Sequence, residues 1–208
     1  MIATQFAQQL LQVACIKLQP EQPFTWASGW KSPFYCDNRK TLAYPEVRTF
    51  VKQQLADIVR RQYPQATAIA GVATGAIAQG ALVADELGLP MCYVRAKAKD
   101  HGMGNLIEGT LPEGAKVVVV EDLISTGGSS LKAVEALRAA GFEILGMVAA
   151  FTYGFPVATE AFSAANVELT TLTNYEAVVE AALASGYIAE SHKPLLEAWR
   201  QSPSTWGQ

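Results

Sequence analysis

Val117-Val118-Val119-Val120-Glu121-Asp122-Leu123-Ile124-Ser125-Thr126-Gly127-Gly128-Ser129-Ser130 is the stretch on which the reading of this chain turns. Four β-branched residues in a row predict a strand buried on both faces. Two carboxylates stand at its C-terminal end, small residues follow, and Leu131, Val134 and Leu137 then mark one face of a helix. Ligands bind at strand-to-helix turns of open parallel sheets. Small residues there let main-chain N–H groups converge on a phosphate, helped by the helix N-terminus. The acids restrict which phosphate ligand fits. A carboxylate repels phosphate at short range, so Glu121 and Asp122 need sugar hydroxyls, a magnesium ion or a developing positive charge to hold. A phosphorylated ribose offers all of these. No Gly-Lys-Ser/Thr closes the run, so it is not a Walker A loop, and the absence of G-x-G-x-x-G removes a Rossmann fingerprint. Ser and Thr are ordinary helix caps, but a plain capped turn does not explain an acidic pair and two glycines together.

Outward from this run the chain alternates. The patterns predict strands at 67–71, 91–95, 116–121, 143–151 and 167–172, and helices at 75–87 (closed by Gly88), 129–140 (closed by Gly141), 156–164, 174–185 and 191–200. Such alternation gives an α/β fold with a mainly parallel sheet flanked by helices. Earlier, Phe6, Leu10, Val13 and Ala14 share one face of a helix expected over 4–18, ended by Pro20 and Pro23. Pro45 is placed in the first turn of a further helix, with Val47, Phe50, Val51, Leu55, Ile58 and Val59 as its buried stripe. Residues 24–37 read as short strands or extended loop. The organisation expected is an N-terminal hood and substrate-binding segment over 1–42, a core over 43–200 and a loose polar tail over 201–208.

A chain of 208 residues, half of them hydrophobic, buries a core without staples. The formal charge of −3, with both signs mixed along the chain, argues against nucleic acid held by bulk charge. No 18-residue apolar run or signal peptide is read, so no membrane is expected. Cys15, Cys36 and Cys92 are odd in number and far apart. They fit reduced thiols of a cytoplasmic protein better than zinc or a disulfide framework. His192 reads as a surface residue, and no G-x-S-x-G elbow is present. The long segment 96–108 carries Gly102 and Gly104 and reads as a lid. Arg95, Lys97, Lys99 and His101 form a basic cluster sized for a small multivalent anion.

The run at 117–130 resembles the ribose-phosphate signature of the type I phosphoribosyltransferases, which use 5-phosphoribosyl 1-pyrophosphate (PRPP). Arg95-Ala96-Lys97-Ala98-Lys99-Asp100-His101-Gly102-Met103-Gly104-Asn105-Leu106-Ile107-Glu108-Gly109 is similar to the catalytic loop of the orotate phosphoribosyltransferase family. Phe24-Thr25-Trp26-Ala27-Ser28-Gly29-Trp30-Lys31-Ser32-Pro33-Phe34-Tyr35-Cys36-Asp37-Asn38-Arg39 is similar to that family's N-terminal substrate segment. The three segments lie in the family's order, and the resemblance spans nearly the whole chain.

The resemblance implies transfer of phosphoribose from PRPP to orotate with magnesium, in UMP biosynthesis. It implies a homodimer in which Arg95, Lys99 and His101 meet the pyrophosphate in the partner's site. PRPP is expected on these three and on Glu121, Asp122, Leu123, Ile124, Ser125, Thr126, Gly127, Gly128 and Ser129, with Lys99, His101 and Asp122 catalytic. Thr74 and Gly75 fall on the family's pyrophosphate loop, where some members carry a Tyr-Lys pair. Ser125, Lys31, Phe34 and Tyr35 are expected at the base, with Trp26 and Trp30 open between packing and ligand contact. No residue is expected to hold the metal directly, since substrate and water do so. The chain departs from the family at Ala96, where a further Lys is common. It departs again at Ala27 and near Tyr153, where some members hold the base with Lys and Arg. A phosphoribosyltransferase for another base, and a PRPP-binding regulator without catalysis, are the alternatives.

Overall fold

The computed structural model describes residues 1–26, 29–97 and 106–207. Its centre is a sheet of six strands among the described residues, in the order β10-β9-β8-β5-β6-β7. These are β5 (Ala68–Val72), β6 (Met91–Val94), β7 (Ile107–Glu108), β8 (Lys116–Ile124), β9 (Glu143–Thr152) and β10 (Leu169–Asn174). All neighbours run parallel except β7, which returns antiparallel to β6. Strand β8 lies between β5 and β9 and has no water-facing side. Val117 and Val119 enter one core, with Ala133, Val134 and Leu137 of α4 (Gly128–Ala139) and Phe162 of α5 (Pro156–Ala164). Val118 and Val120 enter the other, with α2 (Pro45–Gln62), α3 (Ile77–Leu87) and α6 (Tyr175–Ala184). All four valines are fully buried. Each contributes about 1.5–3 kcal/mol of transfer free energy, and together they hold the acidic end of β8 rigidly in the middle of the sheet.

The N-terminal part differs from expectation. Helix α1 (Ile2–Gln12) stops well before Pro20, and Ala14 takes a left-handed φ of +51°. The chain then enters β1 (Ile16–Leu18), antiparallel to β4 (Phe34–Cys36). Ile16 and Leu18 are buried and Lys17 is exposed, a two-residue period that strand pairing satisfies and a continuing helix does not. A second small hairpin joins β2 (Phe24–Thr25) to β3 (Lys31–Ser32). A 3-10 turn over Asn38–Ala43 leads into α2, with Pro45 at its start. Strand β8 extends three residues past the expected end, so Glu121 and Asp122 lie within it. Helix α7 (Lys193–Gln201) follows a short 3-10 turn. The tail expected to be loose is instead wound: Trp206 N–H donates to Ser202 O at 3.0 Å, and the Trp206 ring packs against the main core.

Candidate active site

The C-terminal ends of β5 and β8 bring two turns together. The first, Ala73-Thr74-Gly75-Ala76, follows β5, contains a cis peptide between Ala73 and Thr74, and is fastened by Ala73 N–H to Val94 O at 2.8 Å. The second follows β8. They touch at Gly75: a Cβ there would overlap the Asp122 carboxylate. Glycine at 75 is thus what lets the carboxylate lie directly against the turn's main chain.

The two acids are held differently. Glu121 is 4% exposed. Its Oε1 accepts from Asp122 N–H at 2.9 Å, and its Oε2 accepts from Ser130 Oγ at 2.8 Å on the first turn of α4. Burial, reinforced by the neighbouring Asp122 charge, pushes the Glu121 carboxyl well above the usual carboxylate range. Asp122 is half-buried, and its main-chain O accepts from Asn38 Nδ2 at 2.6 Å. Glu121 therefore ties strand to helix, while Asp122 presents the accessible carboxylate.

Beyond them, Ser125, Thr126, Gly128 and Ser129 border the opening, and Thr126, Gly128 and Ser129 are exposed. Gly127 has φ +81°, and a Cβ there would come within 2.8 Å of the Phe162 ring. A side chain is thus excluded by conformation and by space alike. Helix α4 has no side-chain cap, which leaves its first amides facing the turn. A cleft of about 750 Å³ continues from here, lined by Val72, Ala73, Arg95, Gly128, Ser129 and Lys132 among others. The uncapped helix start and an arginine thus share one opening, suited to an anion. Arg95 N–H donates to Leu106 O at 2.8 Å, and its guanidinium pairs with Glu108 at 3.4 Å across β6 and β7. Lys99 and His101, expected to be catalytic, lie outside the described residues, as do Ala27 and Ser28.

The N-terminal segment packs over the ends of β8 and β9, and its residues separate into core and surface. Phe34 is fully buried among Phe151, Tyr153, Tyr175 and Trp199, with ring centroids 5.0–6.4 Å away. It is core, and this corrects its expected place against the base. Ser32 is buried too, its hydroxyl donating to Phe34 O at 2.7 Å. Lys31 Nζ donates to Thr25 Oγ1 at 2.9 Å, and the Lys31 stem runs beside Gly207. Lys31, expected at the base, is exposed and lies between the hairpin and the tail. Tyr35 is exposed and leans on Phe24 at 5.6 Å. Trp26 packs on Tyr153 and Trp199 and donates from Nε1 to Phe34 O at 3.3 Å. Its neighbour Trp30 stacks on it at 6.2 Å.

Two positioning side chains were not singled out by the sequence. Ser130 ends the quoted run but reads there as one more small residue. Asn38 reads as a turn former, and nothing in its local pattern signals that it is 3% exposed and bonded 84 residues away. Asn38 Oδ1 accepts from Cys36 Sγ at 3.3 Å. Its main-chain O accepts from Thr41 Oγ1 at 2.6 Å, and Thr41 Oγ1 accepts in turn from Gln79 Nε2 at 3.3 Å. Among the described residues no group of three or more metal-type ligands occurs. One accessible carboxylate beside an anion turn suits a divalent ion carried mainly by substrate and water.

A parallel sheet with an acidic strand end, an uncapped helix start and a second glycine turn beside it is the architecture of the phosphoribosyltransferase class, and the family described as "Phosphoribosyl transferase domain" matches residues 43–184. The chain is 67% identical to the orotate phosphoribosyltransferase of Phocaeicola vulgatus over 201 residues, covering 97% of this chain and 95% of that one. It is 51% identical to that of Listeria innocua over 207 residues, covering 100% and 99%. The crystal structure of orotate phosphoribosyltransferase from Aeropyrum pernix superposes with a TM-score of 0.77 at 28% identity, covering 88% of this chain and 99% of that one. The chain belongs to the orotate phosphoribosyltransferase family.

Proposed function

We propose that this chain transfers the 5-phosphoribosyl group of PRPP to N1 of orotate, giving orotidine 5′-monophosphate and pyrophosphate in UMP biosynthesis. The observation that carries the chemistry is the Asp122 carboxylate lying against Gly75, between the turn after β5 and the uncapped start of α4.

In the reaction the C1–O bond to pyrophosphate breaks and its electron pair leaves with pyrophosphate. The C1–N1 bond forms, and N1 gives up its proton. Positive charge grows on the ribose ring during the exchange. Asp122 faces that charge and accepts from ribose hydroxyls, which favours the transition state electrostatically. Glu121 keeps the strand end in register with α4 through Ser130. The amides and hydroxyls of residues 125–129 hold the 5′-phosphate, and the turn at Thr74 and Gly75 receives pyrophosphate through main-chain groups. Magnesium, carried mainly by substrate and water rather than by side chains of this chain, would supply charge neutralisation for the leaving group. Arg95, Lys99 and His101 complete the pyrophosphate site of the partner subunit in a homodimer, where their cations neutralise the leaving group. Exposed Tyr35 and half-buried Ser125 flank the orotate ring.

The test follows orotate loss spectrophotometrically with PRPP and magnesium each omitted in turn, beside uracil, adenine, hypoxanthine and xanthine as acceptors. Orotate alone should be consumed, and only in the complete mixture. Consumption of a purine in its place would reject the substrate. For the shared site, Lys99→Ala and Asp122→Asn protomers, each inactive, are mixed and exchanged. Recovered activity is expected, and none after verified exchange would reject action across the dimer.

A further inference from the structure

Orotate brings a carboxylate of its own to a site that already holds the Asp122 carboxylate. Two like charges brought together in a partly desolvated site require a cation close by. The described cations around this end of the sheet all have protein partners. Lys31 is bonded to Thr25, Lys40 Nζ points to Ala14 O at 3.4 Å, Arg95 pairs with Glu108 at the far edge of the sheet, and Arg200 is bonded to Glu176 and to Tyr153 O and Gly154 O. Arg39 has a partner too, but one that leaves donors over. It directly follows Asn38, whose side chain is bonded to Asp122 O, so its Cα lies one peptide, about 3.8 Å, from the Cα of the residue that makes that link. Its side chain is 60% exposed, and its Nε donates to Asp37 Oδ1 at 2.7 Å. That bond fixes the plane of the guanidinium and uses only one of its donor edges. The negative groups facing the guanidinium are Asp37 first, then Asp122, and together they hold it firmly protonated. The exposed ring next to it in the chain's β4 is Tyr35, the surface on which a flat base would rest.

We propose that Arg39 is the specificity-determining residue of this site: Asp37 orients it through Nε, and its two Nη groups take the two oxygens of the base's carboxylate side by side. The assignment rests on orotate being the base. Arginine suits the task because its planar fork matches a carboxylate in two parallel hydrogen bonds. It also neutralises the incoming charge without approaching the ribose, where a cation would oppose the growing positive charge.

Orotidine 5′-monophosphate and UMP differ only in that carboxylate, so their binding to the full-length chain, measured by calorimetry, isolates the contact. Wild type should bind orotidine 5′-monophosphate more tightly than UMP. Arg39→Ala should weaken the former by about 10- to 100-fold, as loss of hydrogen bonds to a charged group does. UMP binding should change by less than about threefold, which also certifies the fold. Arg39→Lys should fall between, and Asp37→Asn should keep most of the preference. Equal weakening of both nucleotides by Arg39→Ala, or no weakening of either, would overturn the assignment. Wild type that binds UMP as tightly as orotidine 5′-monophosphate would overturn it too. Binding of neither nucleotide by the wild type would instead strike the substrate reading and remove Arg39's role with it.

Discussion

The end of β8 with its turn and the described part of the segment from Phe24 to Arg39 meet where Asn38 Nδ2 donates to Asp122 O. The turn works through main chain: Gly127 and Gly128 leave no side chain in the way, α4 begins without a cap, and Gly75 brings a second strip of main chain against Asp122. The N-terminal segment works through side chains and is held in place by rings. Trp199 is fully buried, touches Trp26, Phe34, Tyr153, Phe155 and Tyr175, and donates from Nε1 to Lys31 O at 3.0 Å. A surface made of amides tolerates many side-chain exchanges around it but not the addition of one carbon. A surface made of packed side chains tolerates small shifts but not the loss of its anchor.

That contrast can be broken first at the anchor. Trp199→Ala should cost about 3–5 kcal/mol in urea unfolding, with the KM for orotate rising more than that for PRPP in the surviving folded fraction. An equal rise in both would show that the two sides are not mechanically separate. Asp122→Asn should lower kcat by about 10²–10³, equivalent to about 2.7–4 kcal/mol of barrier, while the unfolding midpoint stays near that of wild type. Gly75→Ala should cost about 10²-fold in kcat, because the added Cβ displaces Asp122 by the order of an ångström. Wild-type turnover in that variant would mean that the contact is incidental.

The smallest effect belongs to Glu121→Gln, which should slow turnover at least about tenfold less than Asp122→Asn. Its signature is in stability against pH. The folded-state pKa of Glu121 is raised, so the native chain keeps a proton that the unfolded chain releases. Wild-type stability should therefore decline as pH rises above about 4.5, the ordinary value for the group. Glu121→Gln should flatten that decline, as read from thermal melts across the range. Parallel melting profiles would show that Glu121 is ionised in the native state.

The end of β8 and its turn were legible because their signals are local: four valines, two acids and two glycines occupy fourteen consecutive residues, and each has a physical meaning at its own position. The strand end was misplaced by three residues because Leu123 and Ile124 continue the pairing with β9 after the acids. The base side was less legible because its arrangement is tertiary. Nothing local separates Phe34, which enters the core, from Tyr35, which stays outside; only the alternation of β4 and the position of Phe151 do so. The short strand at Ile16 was hidden because its partner lies about twenty residues on and α1 supplies a stronger pattern just before it. Asn38 stands near the end of the quoted N-terminal segment without a local signal, and only the chain's return to β8 gives its side chain a partner.

The winding of the last residues has a practical side. Trp206 packs on the core beside Lys31's neighbour Gly207, and Arg200 holds the main-chain oxygens of Tyr153 and Gly154 at 3.3 and 3.2 Å. An affinity tag fused after Gln208, or a truncation before Trp206, is thus a perturbation of the packing around Lys31 and Tyr153 rather than a silent handle. Kinetic comparisons between preparations should hold that end of the chain constant.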